Sequence, residues 1–212
     1  HIELYAPGSG AMPDVNQRMA EVKRNPEVLG AAPFVASQAL LARGEDMKGV
    51  MVRGIVPALE PQVTDLTNGV QGEALKRLVP GEFGVVLGVE LARSMGVQQG
   101  DKVTLVAPSG QVTPAGVVPR LKQMTVVGLF DSGHYEYDSS LAMLHIEDAQ
   151  RIFRLEGPSG IRIKIANMRD VRPVSRQLAA ALGNDVVVRD WTQQNRTWFA
   201  AVQLEKRMMF II

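Results

Sequence analysis

"IRIKIANMRDVRPVSRQLAAALGNDVVV", residues 161–188, decides how this chain is expected to fold. Ile161, Ile163 and Ile165 alternate with Arg162 and Lys164, the two-residue period of a strand with one face buried. Asp170 then stands where it can cap a helix whose inward face carries Val174, Leu178, Ala181 and Leu182, and Gly183 ends it. "DVVV" (185–188) reads as a second strand, so the unit is strand–helix–strand. A counterpart lies at the other end of the chain. "IELY" (2–5) precedes a helix capped by Asp14, with Val15, Met19 and Val22 on one face. Asn25-Pro26 stops that helix, because a residue before proline avoids the helical region, and an extended stretch follows over 32–43. The match predicts one subdomain built from both chain ends, with a second, near 60–150, inserted between them. No sequence repeat accompanies the pattern.

Working inward, the polar "RGEDMK" separates 32–43 from a second extended stretch, 49–56, and predicts a hairpin. Leu59 to Gly81 has polar spacers and a short helix-like "EALKRLV". "FGVVLG" (83–88) reads as a buried strand, and "VELARSMG" as a helix with Gly96 at its C-cap. Gly100-Asp101 turns the chain into the strand "DKVTLV" (101–106). Further strands are expected over 123–130 and 139–145. A helix from Glu147 to Leu155 follows, with Ile146, Ala149, Ile152 and Phe153 inward and Gly157-Pro158 as its stop.

Between two of these strands lies "VAPSGQVTPAGVVPRLKQ" (106–123). It holds Pro108, Pro114, Pro119, Gly110 and Gly116 and no charge between Ala107 and Pro119. Hairpin connections usually take roughly two to five residues, so this stretch reads as a long loop. Three prolines lower the entropy of an unbound loop, letting it project in a preferred shape. Lack of charge suits an apolar or backbone-mediated contact with another protein, and Arg120 and Lys122 just outside could steer it. The other reading is a lid folded over the domain's own apolar face.

The chain has 212 residues, enough to bury a sizeable core, and 23 basic against 22 acidic residues give +1. That balance argues against a nucleic-acid surface. With no cysteine there is no disulfide, thiolate chemistry or Cys-based metal site. His1, His134 and His145 lack metal-ligand spacing. "DSGHYEYD" (131–138) gathers Asp131, His134, Glu136 and Asp138, either an acid/base or metal cluster or, as we expect, a solvated connection between strands. Ser132 and His134 are too close in sequence for an ordinary triad, and neither a nucleophile elbow nor a phosphate-binding glycine motif occurs. No catalytic residue, metal or cofactor is therefore expected, and the chain does not read as an enzyme. It begins at His1 rather than Met, as a piece of something longer would. It closes on "RMMFII" (207–212), either the first turns of a transmembrane helix or a helix buried on its own domain.

Three stretches carry a resemblance: "VVLGVELARSMGVQQGDKVTLVAPSGQVTPAGVVPRLKQMTVVGLF" (85–130), "LAMLHIEDAQRIFRL" (141–155) and "DWTQQNRTWFAAVQLEKRMMFII" (190–212). Together they resemble the periplasmic domain of lipoprotein-releasing ABC transporter permeases, the LolC/LolE family, over essentially the whole chain. The resemblance implies an α+β fold of the macrolide-exporter type. A porter-like subdomain of βαβ units would comprise 1–60 and 151–200, and a mixed α/β subdomain, 61–150, would carry a protruding hook hairpin at 107–120. Residues 201–212 would begin the second transmembrane helix, placing the domain on the periplasmic face of the bacterial inner membrane.

In LolC-type members the hook binds the periplasmic lipoprotein carrier LolA. Pro108 and Ser109 match its start, Thr113, Pro114 and Gly116 its middle, and Pro119 its close. The contact set implied is Pro108, Ser109, Gln111, Val112, Thr113, Pro114, Gly116, Val117, Val118 and Pro119, flanked by Arg120, Lys122 and Gln123. LolE-type members are not expected to carry the hook, so the chain is LolC-like or a combined form. Two positions depart from the pattern: Thr104 stands where the family has an arginine before the hook, and Leu121 where it has a glutamine. The partners implied are the carrier, a lipoprotein substrate, an ATPase subunit and a partner permease, with no nucleic acid. The alternative is a related exporter or regulatory permease docking an adaptor protein or a cell-wall hydrolase.

Overall fold

The structure, a computed structural model, describes residues 2–6, 10–183 and 186–190, with backbone alone at 109–113, 117 and 190. The expected transmembrane start at 201–212 lies outside them. Among the described residues there are nine strands: β1 (Ile2–Tyr5), β2 (Val28–Arg43), β3 (Asp46–Ile55), β4 (Gly84–Gly88), β5 (Lys102–Thr113), β6 (Gly116–Phe130), β7 (Leu141–His145), β8 (Gly160–Ile165) and β9 (Val187–Asp190). The helices are α1 (Val15–Lys23), α2 (Val89–Met95), α3 (Tyr135–Asp138), α4 (Ile146–Phe153) and α5 (Val171–Leu182).

The two chain ends interleave. β1 lies between β8 and β9 and is antiparallel to both, while β8 pairs antiparallel with the first part of β2. The order is β2–β8–β1–β9, so the two strands of each strand–helix–strand unit are parallel but separated by a strand of the other unit. One face of this sheet packs Ile2, Leu4, Ile161 and Ile163 against Met19 and Val22 of α1 and Val174, Leu178 and Leu182 of α5. Three local expectations are corrected. Asp14 and Asp170 occupy the N-cap positions without side-chain cap bonds. Capping needs an extended backbone, and Asp14 is left-handed (φ 54°) while Asp170 sits near φ −94°, ψ 12°. Ala181 is exposed, because the buried stripe of α5 is the narrower one through 174, 178 and 182. Finally, β8 is not half-buried: Arg162 is enclosed along with the isoleucines.

β2 is long enough to serve a second core. Ala31 belongs to the first, whereas Val35, Ala39 and Leu41 pack with β3–β7 and α4. Past Phe34, β2 pairs with β3, β3 with β7, β7 with β4, β4 with β6, β6 with β5, and β5 returns to β2. These six strands close a ring, which leaves no free edge along that part of the sheet. Side chains alternate across it. Val50, Val52, Val85, Leu87, Leu105 and Met124 share one cluster with α2 and α4, while Met51, Ile55, Val86, Phe130 and Met143 share another with Leu66, Ala74 and Leu78. Gly54 is small for a reason: a Cβ there would lie 2.6 Å from that of Ala149 on α4. The hairpin expected over 32–56 is present, turning at Gly44 (φ 60°). "EALKRLV" is not a helix but a 3₁₀ turn at Ala74–Arg77, one of three short turns over residues 60–77. α4 ends before Gly157, with Arg154 itself taking the left-handed C-cap conformation.

Candidate partner-binding surface

The stretch read as a long loop is paired strand almost throughout, and that expectation is corrected. β5 and β6 continue into it: Gln111 pairs with Val118, Val112 with Val117 and Thr113 with Gly116, leaving Pro114 and Ala115 as a two-residue turn. β-branched residues at 112, 113, 117 and 118 favour the extended state and were the available signal. The prolines fit because each avoids a ladder donor. Pro108 falls in the bulge where the register shifts between Ala107 and Gln111, and Pro119 lies opposite it. Pro114 holds the first central turn position, where its fixed negative φ forbids the primed turns of ordinary hairpins. Gly116, at φ 114°, supplies the compensating bend.

The third-strand pairings stop early. β2 accompanies β5 only to Val106, and β4 joins β6 only from Thr125. Beyond Ala107 and Arg120 the two strands pair only with each other, a ribbon that reaches roughly 20 Å at ~3.3 Å per residue. Pro108, Pro114, Gly116, Val118 and Pro119 are exposed, as are Lys122 and Gln123, and Val118 is 51 % accessible. Ser109, Gln111, Val112, Thr113 and Val117 lie on the ribbon's backbone path.

The flank differs from the expected polar rim. Arg120 is partly buried and donates from Nη1 to the Ile152 carbonyl at 2.9 Å, tying the ribbon's base to α4. Lys122 sits 4.0 Å over the Phe83 ring, a cation–π contact. Phe83 is held there by Asp148, fully buried on α4, whose carboxylate accepts from the Gly81 and Phe83 amides at 2.7 and 3.1 Å. Arg120, Lys122, Arg151 and Arg154 surround a cleft of about 230 Å³ with Leu121, 64 % exposed, on its wall. Arg151 and Arg154 escaped the sequence reading because they approach the ribbon only through the packing of α4.

The "DSGHYEYD" residues are engaged in local structure. Asp138, buried, accepts from the Ser132 amide (2.9 Å) and hydroxyl (2.6 Å), and the Ser132 Oγ accepts from the His134 amide at 3.1 Å. The exposed His134 ring meets Tyr137 edge-on at 6.2 Å. Among the described residues no group of three or more His, Asp or Glu is placed to hold a metal ion.

Nothing in the sequence pattern announced a second polar feature, a charge cluster between the two cores. Glu3 Oε1 accepts from Arg162 Nε and Nη2 at 3.2 and 3.1 Å and also from Arg53, while Tyr5 donates to Oε2 at 2.6 Å. Arg162 Nη1 reaches Glu60 Oε1 at 3.3 Å, and Arg53 stacks 4.0 Å over Phe34. Burial pushes the Glu3 carboxyl up, but the two guanidiniums and the Tyr5 hydroxyl override it and hold it at about 2. Burial pushes Glu60 up as well, and there Arg162 and Arg53 do not fully offset it.

Residues 1–181 match the family profile of the MacB-like periplasmic core domain. The chain belongs to this family. Within it, this MacB-like core domain is LolC-like. It is 49 % identical over 187 residues to the lipoprotein-releasing system transmembrane protein LolC of Neisseria meningitidis serogroup B, covering 87 % of this chain and 45 % of that protein. To the same-named protein of Xylella fastidiosa 9a5c it is 38 % identical over 212 residues, covering 100 % of this chain and 51 % of that protein. The MacB-like domain thus spans about half the length of these curated relatives. The extracellular domain of the noncanonic ABC-type transporter YknZ from Gram-positive bacteria shares the fold, with a TM-score of 0.55 at 12 % identity over 89 % of this chain and 99 % of that one. No helix among the described residues is long and apolar enough to cross a membrane.

Proposed function

We propose that this domain is the periplasmic part of a lipoprotein-releasing ABC transporter permease, and that the β5–β6 ribbon recruits a LolA-type lipoprotein carrier. The observation that carries this reading is the ribbon itself: an uncharged two-stranded projection, self-paired beyond Arg120, with Pro108, Pro114, Val118 and Pro119 exposed. A stiff apolar projection docks with little ordering cost. Lys122 and Gln123 form the polar flank, and Arg120 anchors the ribbon rather than reaching the carrier. Holding the carrier beside the permease raises its effective concentration where a lipoprotein emerges. ATP hydrolysis belongs to a separate cytoplasmic subunit, a partner permease completes the transporter, and this domain catalyses nothing. The interleaved chain ends form the porter-like part, with β2 running on into the part that carries the ribbon.

The test is calorimetric titration of the domain with its cognate carrier, beside a variant whose residues 108–119 are replaced by Gly-Ser. Binding lost in the variant, with circular dichroism unchanged, supports the reading. Equal binding by both moves the contact elsewhere, and no binding by either turns the assignment toward a permease that docks an adaptor or a hydrolase.

A further inference from the structure

We propose that the crevice between segment 63–66, the turn before α3 and strand β8 binds a small amphipathic anion, with its carboxylate or phosphate head held by Arg162 and Lys164 and its apolar part lying on Val63, Leu66 and the Tyr137 ring. The cavity is about 400 Å³, a size suited to a small molecule, and Val63, Leu66 and the Tyr137 ring line one part of it among otherwise polar and charged side chains. Lys164 lies at its mouth. Among the described residues its ion pair is a loose one, 3.8 Å from Asp65, whose side chain is 85 % exposed.

The floor supplies a second, independent observation. A recess of about 10 Å³ shares Thr64, Leu66, Tyr137 and Arg162 with the crevice and adds Arg53 and Glu60 to its walls. Among the described residues, these two side chains each carry a buried atom without a hydrogen-bond partner, Arg53 Nε and Glu60 Oε2. Native interiors seldom leave such atoms unmatched, because an unpaired buried polar atom keeps its full desolvation cost. The recess has room for one oxygen. An anion's oxygen placed there accepts from Arg53 Nε–H. Burial favours the protonated form of Glu60, which can donate to the same group.

This inference uses none of the ribbon residues and stands apart from the carrier reading. Octanoate and octyl phosphate, titrated into the 212-residue protein with octanol as the uncharged control, test it through the methyl NMR signals of Val63 and Leu66. Saturable shifts with either anion and none with octanol are expected. Stronger binding of octanoate assigns a carboxylate head, and stronger binding of octyl phosphate assigns a phosphate. Lys164→Gln should weaken binding roughly five-fold and Asp65→Asn should tighten it, both at accessible positions that leave folding intact. Equal shifts with octanol, no saturable shifts with either anion, or unchanged affinity in Lys164→Gln overturns the proposal, and would leave the recess to an ordered water.

Discussion

Glu3 and Arg162 stand 159 residues apart in sequence and pair at 3.1 Å in the interior. Their strands, β1 and β8, are neighbours in the interleaved sheet, with Glu3 opposite Arg162 in register. Arg53 of β3 and Glu60 join the same cluster, so it ties both chain ends to the second core. A buried network of this kind contributes little if exchanged whole for apolar groups, but much is lost when one member is removed.

Acid should therefore weaken the fold in a defined window. The Glu3 carboxyl falls from 4.5 in the unfolded chain to about 2 in the folded one. A depressed carboxyl gives stability that is complete above the unfolded value and is lost as pH falls through the folded one. About 3 kcal/mol should disappear between pH 4.5 and 2. Urea unfolding across pH 2–7 reads this slope. Glu3→Gln should flatten it and cost about 3–5 kcal/mol at pH 7, since Arg53 and Arg162 lose their shared partner. An unchanged slope in the variant would place the acid sensitivity elsewhere.

Glu60 should behave in the opposite sense. Its carboxyl is raised on folding, so ionising it opposes the fold once pH climbs above the unfolded value of 4.5. Glu60→Gln keeps the acceptor for Arg162 and removes that cost. The variant should gain stability relative to the parent as pH rises from 4 to 8. A difference constant across that range, measured by thermal melts, sinks the assignment.

Asp148 supports the ribbon from behind. Replacing it with Ala strips the acceptors from the Gly81 and Phe83 amides and should cost about 2–4 kcal/mol, as expected for buried donors left unmatched. Hydrogen exchange at those two amides should accelerate, and the Lys122–Phe83 stack should loosen with them.

Two ribbon variants separate anchoring from contact. Arg120→Ala removes the bond to the Ile152 carbonyl, so amides at the ribbon's base should exchange faster while the global melting temperature barely moves. Val118→Asp puts a charge on an exposed apolar position. It should leave stability within about 0.5 kcal/mol and weaken carrier binding at least roughly ten-fold. Intact carrier affinity in Val118→Asp would take the apolar tip out of the interface.

Much of this architecture could be read from periodicity. The isoleucines of β8, the 174–178–182 stripe of α5 and the Gly96 end of α2 follow from two-residue and 3.6-residue spacing, which depends on the chain's own geometry. The ribbon was half legible: its prolines and its lack of charge were evident, but its exposure and its pairing were not. A proline counts as a loop signal until a bulge on the partner strand gives it a place without a donor, and that bulge is a property of two strands together. Arg162 was misread for the same reason. Its alternation with isoleucine marks a solvent face only if nothing covers that face, and Glu3, Arg53 and Glu60 do cover it.

The amino-acid sequence by itself determined where most strands and helices form, that both chain ends build matching units, and that residues 107–119 carry no charge, because these are local matters of spacing and side-chain chemistry. Only the tertiary structure decided that the units interleave, that six strands close a ring through β2, and that four charges from distant segments meet away from water. Those outcomes depend on which faces find each other, and burial rewards a contact whatever the length of chain between its partners.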